Sequence, residues 1–333
     1  MFNFISSLTL DTLLILISLV LINFIILSRR KIISSKFKLN DYPDKRKIHH
    51  IPTPLLGGLC LFVTLIPINY CFYLFGEINS INFLTLTIIY TIFFLIGLWD
   101  DIQTLSPKIK TFLIILTLII LLLFDENYLI NELQFKYSSR IIHLNIFSFL
   151  FTLFCFFSLY NALNFIDGYN GVSLSISIYW ILILFIKNPN LVYFTTTIVL
   201  IILYFYNLKG KIFLGNSGSS ILSTFFAISL IGDYNIYKTI YADEILFLLF
   251  IPGIDMIRVT IERIFKKQKI YNPDKLHLHH YLIKNKLSYV WQVTLILTIC
   301  PYTILRLTNN SELTLIISII LYLLVYLFIK KND

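Results

Sequence analysis

Two adjacent carboxylates, Asp100 and Asp101, close a long apolar run, and Lys108 and Lys110 follow shortly after. Side-by-side carboxylates cost electrostatic energy unless a cation or a proton relieves them. With ammonium groups nearby, such a pair suits the handling of metal-bound phosphates. Further on, Asn161, Asn164 and Asp167 recur at every third position, which puts three oxygen-bearing side chains on one face of a helix. Gly168 and Gly171 flank Asn170 and permit a tight turn that a ligand could approach closely. A helix end capped by Asn and Gly explains Gly168 and Asn170, but not three polar groups on one face of an apolar segment. The run Gly215-Asn216-Ser217-Gly218-Ser219-Ser220 could open a helix and offer backbone N–H groups to a phosphate. An ordinary N-cap by Ser217 or Asn216 explains the same residues. Last comes Asp274-Lys-Leu-His277-Leu-His279-His280. No cysteine is near and the spacing is too tight for three zinc ligands from a helix. Donation by the histidines to a pyrophosphate or sugar is the better chemistry.

The elements that must position these residues are helices in lipid. The chain has 333 residues, of which 57% are hydrophobic, with a mean hydropathy of +0.81. A soluble domain is about 45–50% apolar, so this excess predicts an all-α polytopic integral membrane protein. The apolar runs do not alternate, which excludes barrel strands. About eleven spans are predicted, roughly 7–28, 55–75, 81–99, 110–124, 145–163, 171–187, 191–208, 217–232, 242–262, 289–307 and 313–329. The first is long enough to span and lacks a basic start, so it reads as an anchor, not as a cleaved leader. The loop 125–144 reads as a surface hairpin or a short amphipathic element. Residues 1–333 form a single transmembrane domain in this reading, without internal repeat or linker.

The net charge of +9 lies mainly in loops of one parity. Loop 29–54 holds eight Lys or Arg and loop 263–288 holds seven. Cytoplasmic loops carry such an excess, which places all four polar clusters on the cytoplasmic face. No soluble basic domain exists for nucleic acid. The four cysteines, Cys60, Cys71, Cys155 and Cys300, follow no metal-ligand or disulfide spacing and read as small apolar fillers.

The order Asp-Asp, Asn-x-x-Asn-x-x-Asp-Gly, Phe-Leu-Gly-x-Ser-Gly-Ser and His-x-His-His resembles the polyprenyl-phosphate N-acetylhexosamine-1-phosphate transferases, the WecA/MraY superfamily of glycosyltransferase family 4. The resemblance spans about residues 40–285 and includes Asp41-x-Pro-Asp44-x-Arg46-Lys47-x-His49 and Pro52 to Gly58. The first loop and the histidine run look like the WecA-type branch. The resemblance implies attack by a polyprenyl phosphate on the β-phosphate of a UDP-N-acetylhexosamine, with UDP-N-acetylglucosamine the first choice. UMP would leave, with Mg²⁺ (or Mn²⁺) neutralising the pyrophosphate, as the first membrane step of a cell-envelope polysaccharide such as an O antigen. The enzyme would sit in the inner cell membrane, with a homodimer among its expected partners.

By the same resemblance Asp100, Asp101 and Asp167 are catalytic candidates. Lys110, Asn170, Arg263, His277, His279 and His280 would bind substrate, and Asn164 and Asn216 would hold the metal. Asn216 departs from the family pattern, which has Asp there; an amide oxygen can coordinate but brings no charge. Alternatives are a phospho-N-acetylmuramoyl-pentapeptide transferase or another UDP-aminosugar specificity. From other classes, a membrane transporter would need repeated halves and midplane polar groups, and an inactive scaffold is motivated by Asn216 alone.

Overall fold

The computed structural model describes residues 9–43, 51–267, 276–285 and 289–331. The first-loop positions Asp44, Arg46, Lys47 and His49, and Asp274, lie outside the described residues.

The described residues form an all-α bundle with two short hairpins. In chain order the helices are α1 Leu10–Ser28, α2 Arg30–Lys36, α3 Gly57–Leu74, α4 Ser80–Ile102, α5 Pro107–Phe124, α6 Ser148–Ile166 and α7 Val172–Lys187. They continue as α8 Leu191–Leu208, α9 Gly215–Asn235, α10 Ala242–Leu248, α11 Phe250–Phe265, α12 Leu278–Lys284, α13 Val290–Thr308 and α14 Ser311–Lys331. Among the described residues eight helices are long and apolar enough to cross a membrane: α1, α3, α4, α5, α6, α8, α13 and α14. The chain is a multi-pass membrane protein.

Helix α9 is the axis of the bundle. Its residues from Ser217 to Tyr234 are buried all round, and it packs on α3, α4 and α6. Small residues let it do so. Lipid tails are as apolar as leucine, so helices in a bilayer associate through close van der Waals approach. The start of α9 lies in a cradle of glycines: a Cβ on Gly97 would stand 2.5 Å from the Asn216 carbonyl oxygen, and one on Gly58 2.4 Å from the Ser217 hydroxyl.

The predicted ninth span, 242–262, is broken at Leu249 into α10 and α11. Pro252 cannot donate to the carbonyl of Leu248, four residues back. That carbonyl accepts instead from the indole N–H of the fully buried Trp180 at 3.0 Å.

The loop 125–144 forms an antiparallel hairpin, β3 Glu132–Gln134 with β4 Ile141–His143. The other hairpin pairs β1 Asn40–Asp41 with β2 Thr53–Pro54. From there Leu55 runs beside Phe213, and the Phe213 N–H donates to the Pro54 carbonyl at 2.9 Å. The end of the first loop at Pro54 and Leu55 is thereby docked on the approach to α9.

Ion pairs also lie at the other end of the bundle. At the end bearing β3 and β4, Glu244 is fully buried. Both its carboxylate oxygens accept from Lys187 Nζ at 2.9 Å. Asp243 accepts from the Tyr137 N–H at 3.0 Å and the Ser311 hydroxyl at 2.9 Å. Buried charges persist only when paired and hydrogen-bonded, and these fasten the hairpin and α14 to α10.

Candidate active site

Asp100 and Asp101 lie in the last turn of α4 and have separate duties. Asp100 Oδ1 accepts from the Leu105 N–H at 2.7 Å, and Oδ2 pairs with Lys110 Nζ at 2.8 Å. Lys110 Nζ also donates to Asn216 Oδ1 at 3.1 Å and lies 5.8 Å from the Tyr160 ring centre. Asp101 instead accepts from the N–H of Asn216 at 2.7 Å, the N–H of Ser217 at 3.0 Å and the Ser217 hydroxyl at 2.6 Å. The first turn of a helix leaves N–H groups without helical partners, and a carboxylate there also meets the positive end of the helix dipole. Asp101 is therefore the cap of α9, supplied by another helix. This corrects two expectations: Ser217 does not cap its own helix, and the N–H groups of Asn216 and Ser217 are already taken rather than offered to a phosphate. Gly215, at φ +76°, makes the approach of Asp101 feasible; a Cβ there would sit 2.9 Å from Asp101 Oδ2.

Next to this cap, the Ser219 hydroxyl donates to Asn164 Oδ1 and to the Asn216 carbonyl, each at 3.2 Å. Asn161, on the same face of α6, turns its amide back to the Phe157 carbonyl at 2.8 Å. Asp167 ends α6 and accepts from the Ser173 hydroxyl. Burial pushes its carboxyl up to about 7, with the Asp101 carboxylate adding to the rise and the Ser173 hydroxyl opposing it. The turn beyond is set by Asn207, which sequence reasoning passed over. Its Oδ1 accepts from the Gly171 N–H at 2.6 Å while its Nδ2 donates to the Ile212 carbonyl at 3.1 Å. A buried amide two residues before a Lys-Gly-Lys turn was its signal. Asn170 lies in this turn, its amide nitrogen 3.8 Å from where a Cβ on Gly210 would stand.

The histidine segment closes over the same turn. His279 is 2% exposed, and a Cβ on Gly168 would stand 2.4 Å from its Nε2, so a side chain at 168 would have to displace the buried imidazole. Among the described residues that Nε2 has no hydrogen-bond partner. His277 lies parallel to His279, ring centres 6.0 Å apart, and 4.9 Å from the Phe165 ring. His280 lies 4.2 Å from His279. The buried Arg263 has its guanidinium 5.7 Å from Phe165. His277 Nδ1 is 2.9 Å from Asp255 Oδ2, and Asp255 is a second residue that sequence reasoning missed. Its signal was a carboxylate inside an apolar run, with Arg258 and Glu262 one and two turns on, since polar groups at such positions are retained for function.

The contacts therefore join the four clusters into one continuous site, from Lys110 through Asp100, Asn216, Asp101, Asn164 and Asp167 to His279, His277 and Asp255. An ammonium, carboxylates, amide oxygens and imidazoles brought together in this way are suited to binding a diphosphate.

Comparison with known proteins agrees with this chemistry. The sequence profile of glycosyl transferase family 4 matches residues 83–232, from within α4 to within α9. A probable undecaprenyl-phosphate N-acetylglucosaminyl 1-phosphate transferase of Bacillus subtilis is 27% identical over 277 residues, 80% of this chain and 75% of the relative. An undecaprenyl-phosphate alpha-N-acetylglucosaminyl 1-phosphate transferase of Escherichia coli is 26% identical, covering 81% of this chain and 76% of its own. The Thermotoga maritima protein of the same name is 27% identical, with 83% of both chains covered. The profile covers Asp100 to Ser219, and the relatives extend over about four fifths of the chain, so this chain is similar to members of glycosyl transferase family 4.

Proposed function

We propose that this chain transfers N-acetylglucosamine-1-phosphate from UDP-N-acetylglucosamine to a polyprenyl phosphate, undecaprenyl phosphate, at the cytoplasmic face of the cell membrane. UMP is released and a polyprenyl-pyrophosphoryl sugar is formed, the first membrane step of an envelope polysaccharide. The observation that carries this reading is the convergence of Lys110, Asp167, His279 and His277, far apart in sequence, on one end of a membrane bundle. The names and coverage of the relatives support it.

In this reaction an oxygen of the lipid phosphate attacks the β-phosphorus of the UDP-sugar. The bond from that phosphorus to the bridging oxygen breaks, and the bridging oxygen leaves with UMP. Phosphoryl transfer is catalysed mainly by positioning and charge stabilisation. Lys110, held by Asp100, supplies fixed positive charge. Phosphate monoesters ionise with a second pKa of about 6, so the lipid phosphate needs little help to lose its proton.

A divalent cation, Mg²⁺ or Mn²⁺, belongs to the proposal. The donors fit a hard ion, for Asn164, Asn216 and Asp167 offer oxygen only. Asp167, a recessed carboxyl pushed up to about 7 by burial and by Asp101, is a group that a nearby cation would relieve. Bound there, the ion would neutralise diphosphate charge. Asn216 Oδ1, which accepts from Lys110, would have to be shared or exchanged.

The test is UMP release by purified protein with undecaprenyl phosphate, Mg²⁺ and a panel of UDP-sugars. Release with UDP-N-acetylglucosamine and formation of the lipid-linked sugar are expected. Release only with another UDP-sugar would move the chain to a sister specificity, and no release with any would sink the reading.

A further inference from the structure

Asp255 is 4% exposed in α11, and four donors saturate its carboxylate. Oδ2 accepts from His277 Nδ1 at 2.9 Å and from the Leu278 N–H at 3.3 Å. Oδ1 accepts from Arg258 Nη2 and from the Tyr322 hydroxyl, both at 2.8 Å. Arg258 Nε donates to the Tyr322 oxygen, also at 2.8 Å, and its guanidinium lies 4.4 Å over the Tyr326 ring. Tyr322, Tyr326 and Ile329 form one buried face of α14. The Ile329 carbonyl accepts from the Asn285 amide at the end of α12 at 2.9 Å. The last helix, which lies outside the stretch matched by the family profile, is thus fastened to the histidine segment at both ends of α12.

An ionised carboxylate can only accept. A ring nitrogen 2.9 Å from it therefore carries a proton, and the tautomer follows from the network. Nε2 is then the nitrogen of His277 left for a ligand. On the reading of the site given above, we propose that Asp255 and Tyr322 are positioning residues for the diphosphate of the nucleotide sugar. They hold His277 with Nδ1 protonated and its Nε2 edge presented to the substrate. A carboxylate that orients a histidine in this way acts through the histidine and not on the substrate, as outer partners of metal-bound histidines do.

The test is a double-mutant cycle on the full chain in lipid nanodiscs, with kcat and KM for UDP-N-acetylglucosamine measured separately. Tyr322→Phe keeps the ring and its packing and removes one hydroxyl. We expect KM to rise about threefold in Tyr322→Phe and roughly tenfold in Asp255→Asn, with kcat within about twofold of the unaltered chain. In a His277→Gln background both effects should vanish, because the side chain they act through is gone. Equal losses with and without His277, or losses in kcat alone, would overturn the proposal. A second readout needs no turnover. Nitrogen-15 spectra of histidine-labelled protein should show His277 as the Nδ1-protonated form, and tautomer exchange in Asp255→Asn. An Nε2-protonated His277 in the unaltered chain would refute the relay. A chain inactive toward every UDP-sugar would refute the proposed reaction and leave the relay to be decided by the spectrum.

Discussion

Neighbouring carboxylates need not share a task. Asp100 holds a lysine that points into the site, whereas Asp101 receives three donors from the start of α9. Hydrogen bonds to a charged group contribute about 1.5–3 kcal/mol each, and a buried donor left unmet costs a similar amount. An asparagine at 101 would turn its NH₂ toward N–H groups that need an acceptor. Asp101→Asn is therefore expected to lose about 2 kcal/mol of stability. The Asp100–Lys110 pair is mostly buried, but an asparagine at 100 keeps an oxygen for the Leu105 N–H and Lys110 keeps Asn216 Oδ1. Asp100→Asn should therefore cost about 1 kcal/mol, less than Asp101→Asn, yet lose activity by roughly a hundredfold. Thermal melts beside UMP release decide it; the reverse pattern would exchange the two assignments. His279 gives a pH prediction. Burial, then the nearby His280 and His277, push its imidazole well below 6.5, against the pull of Asp255. Its folded form thus resists the proton that the unfolded chain accepts, so its contribution to stability is complete above about pH 6.5 and falls as the pH drops below that value. His279→Gln should flatten the loss of melting temperature between pH 7.5 and 5.5. An unchanged slope would mean that other groups set the acid sensitivity.

At the scale of elements, the site is held by backbones that touch. Gly97 lets α4 meet the first turn of α9, where a Cβ would strike the Asn216 carbonyl oxygen and the Ser217 Cα at 2.5 Å. Backbone atoms cannot step aside as a side chain does, so Gly97→Ala should cost more than about 2 kcal/mol or abolish folding. Gly232→Ala in the same helix, α9, meets nothing within 4 Å and should be neutral or slightly stabilising, since alanine favours helix by about 1 kcal/mol. Melting temperatures of the two variants would separate close packing from helix propensity. Much of this level was legible in the sequence. Every predicted span except the ninth is a single helix, because a chain in lipid must satisfy its backbone internally. The break at Leu249 was missed because the run continues through Pro252, and only the indole of Trp180 on α7 shows where the freed carbonyl went. The cap of α9 was missed because its acceptor lies 115 residues earlier. Local rules look for a cap one to three residues away. Asp255 was hidden for a like reason: its partners His277 and Tyr322 stand 22 and 67 residues further on.

At the scale of the whole molecule the hydrogen bonds sort the connecting segments into two sets. Segments near residues 54, 101, 168, 207, 213 and 279 contact one another. Those near 137, 187, 239, 243 and 311 form a second group. The first set holds the candidate site, and it coincides with the loops that carry most Lys and Arg, so the positive-inside bias and the contact pattern pick out the same end. The second set carries buried ion pairs around Glu244, which the loop pattern did not foretell because Asp243 and Glu244 sat inside a predicted span. Charge sign, not charge as such, therefore distinguishes the two ends. If lysine and arginine set the orientation, the end with Lys108 and Lys209 faces the cytoplasm and the end with Lys238 and Asn310 faces out. All four side chains are exposed, so each can carry a single reporter cysteine in a chain whose own four are replaced. A membrane-impermeant maleimide added to intact cells should label Lys238→Cys and Asn310→Cys, and should reach Lys108→Cys and Lys209→Cys only after the membrane is opened. Labelling of Lys108→Cys or Lys209→Cys from outside would put the site away from the cytoplasmic pool of UDP-sugars. The proposed donor could not then reach Lys110 and His277, and the reaction would have to be abandoned along with the orientation.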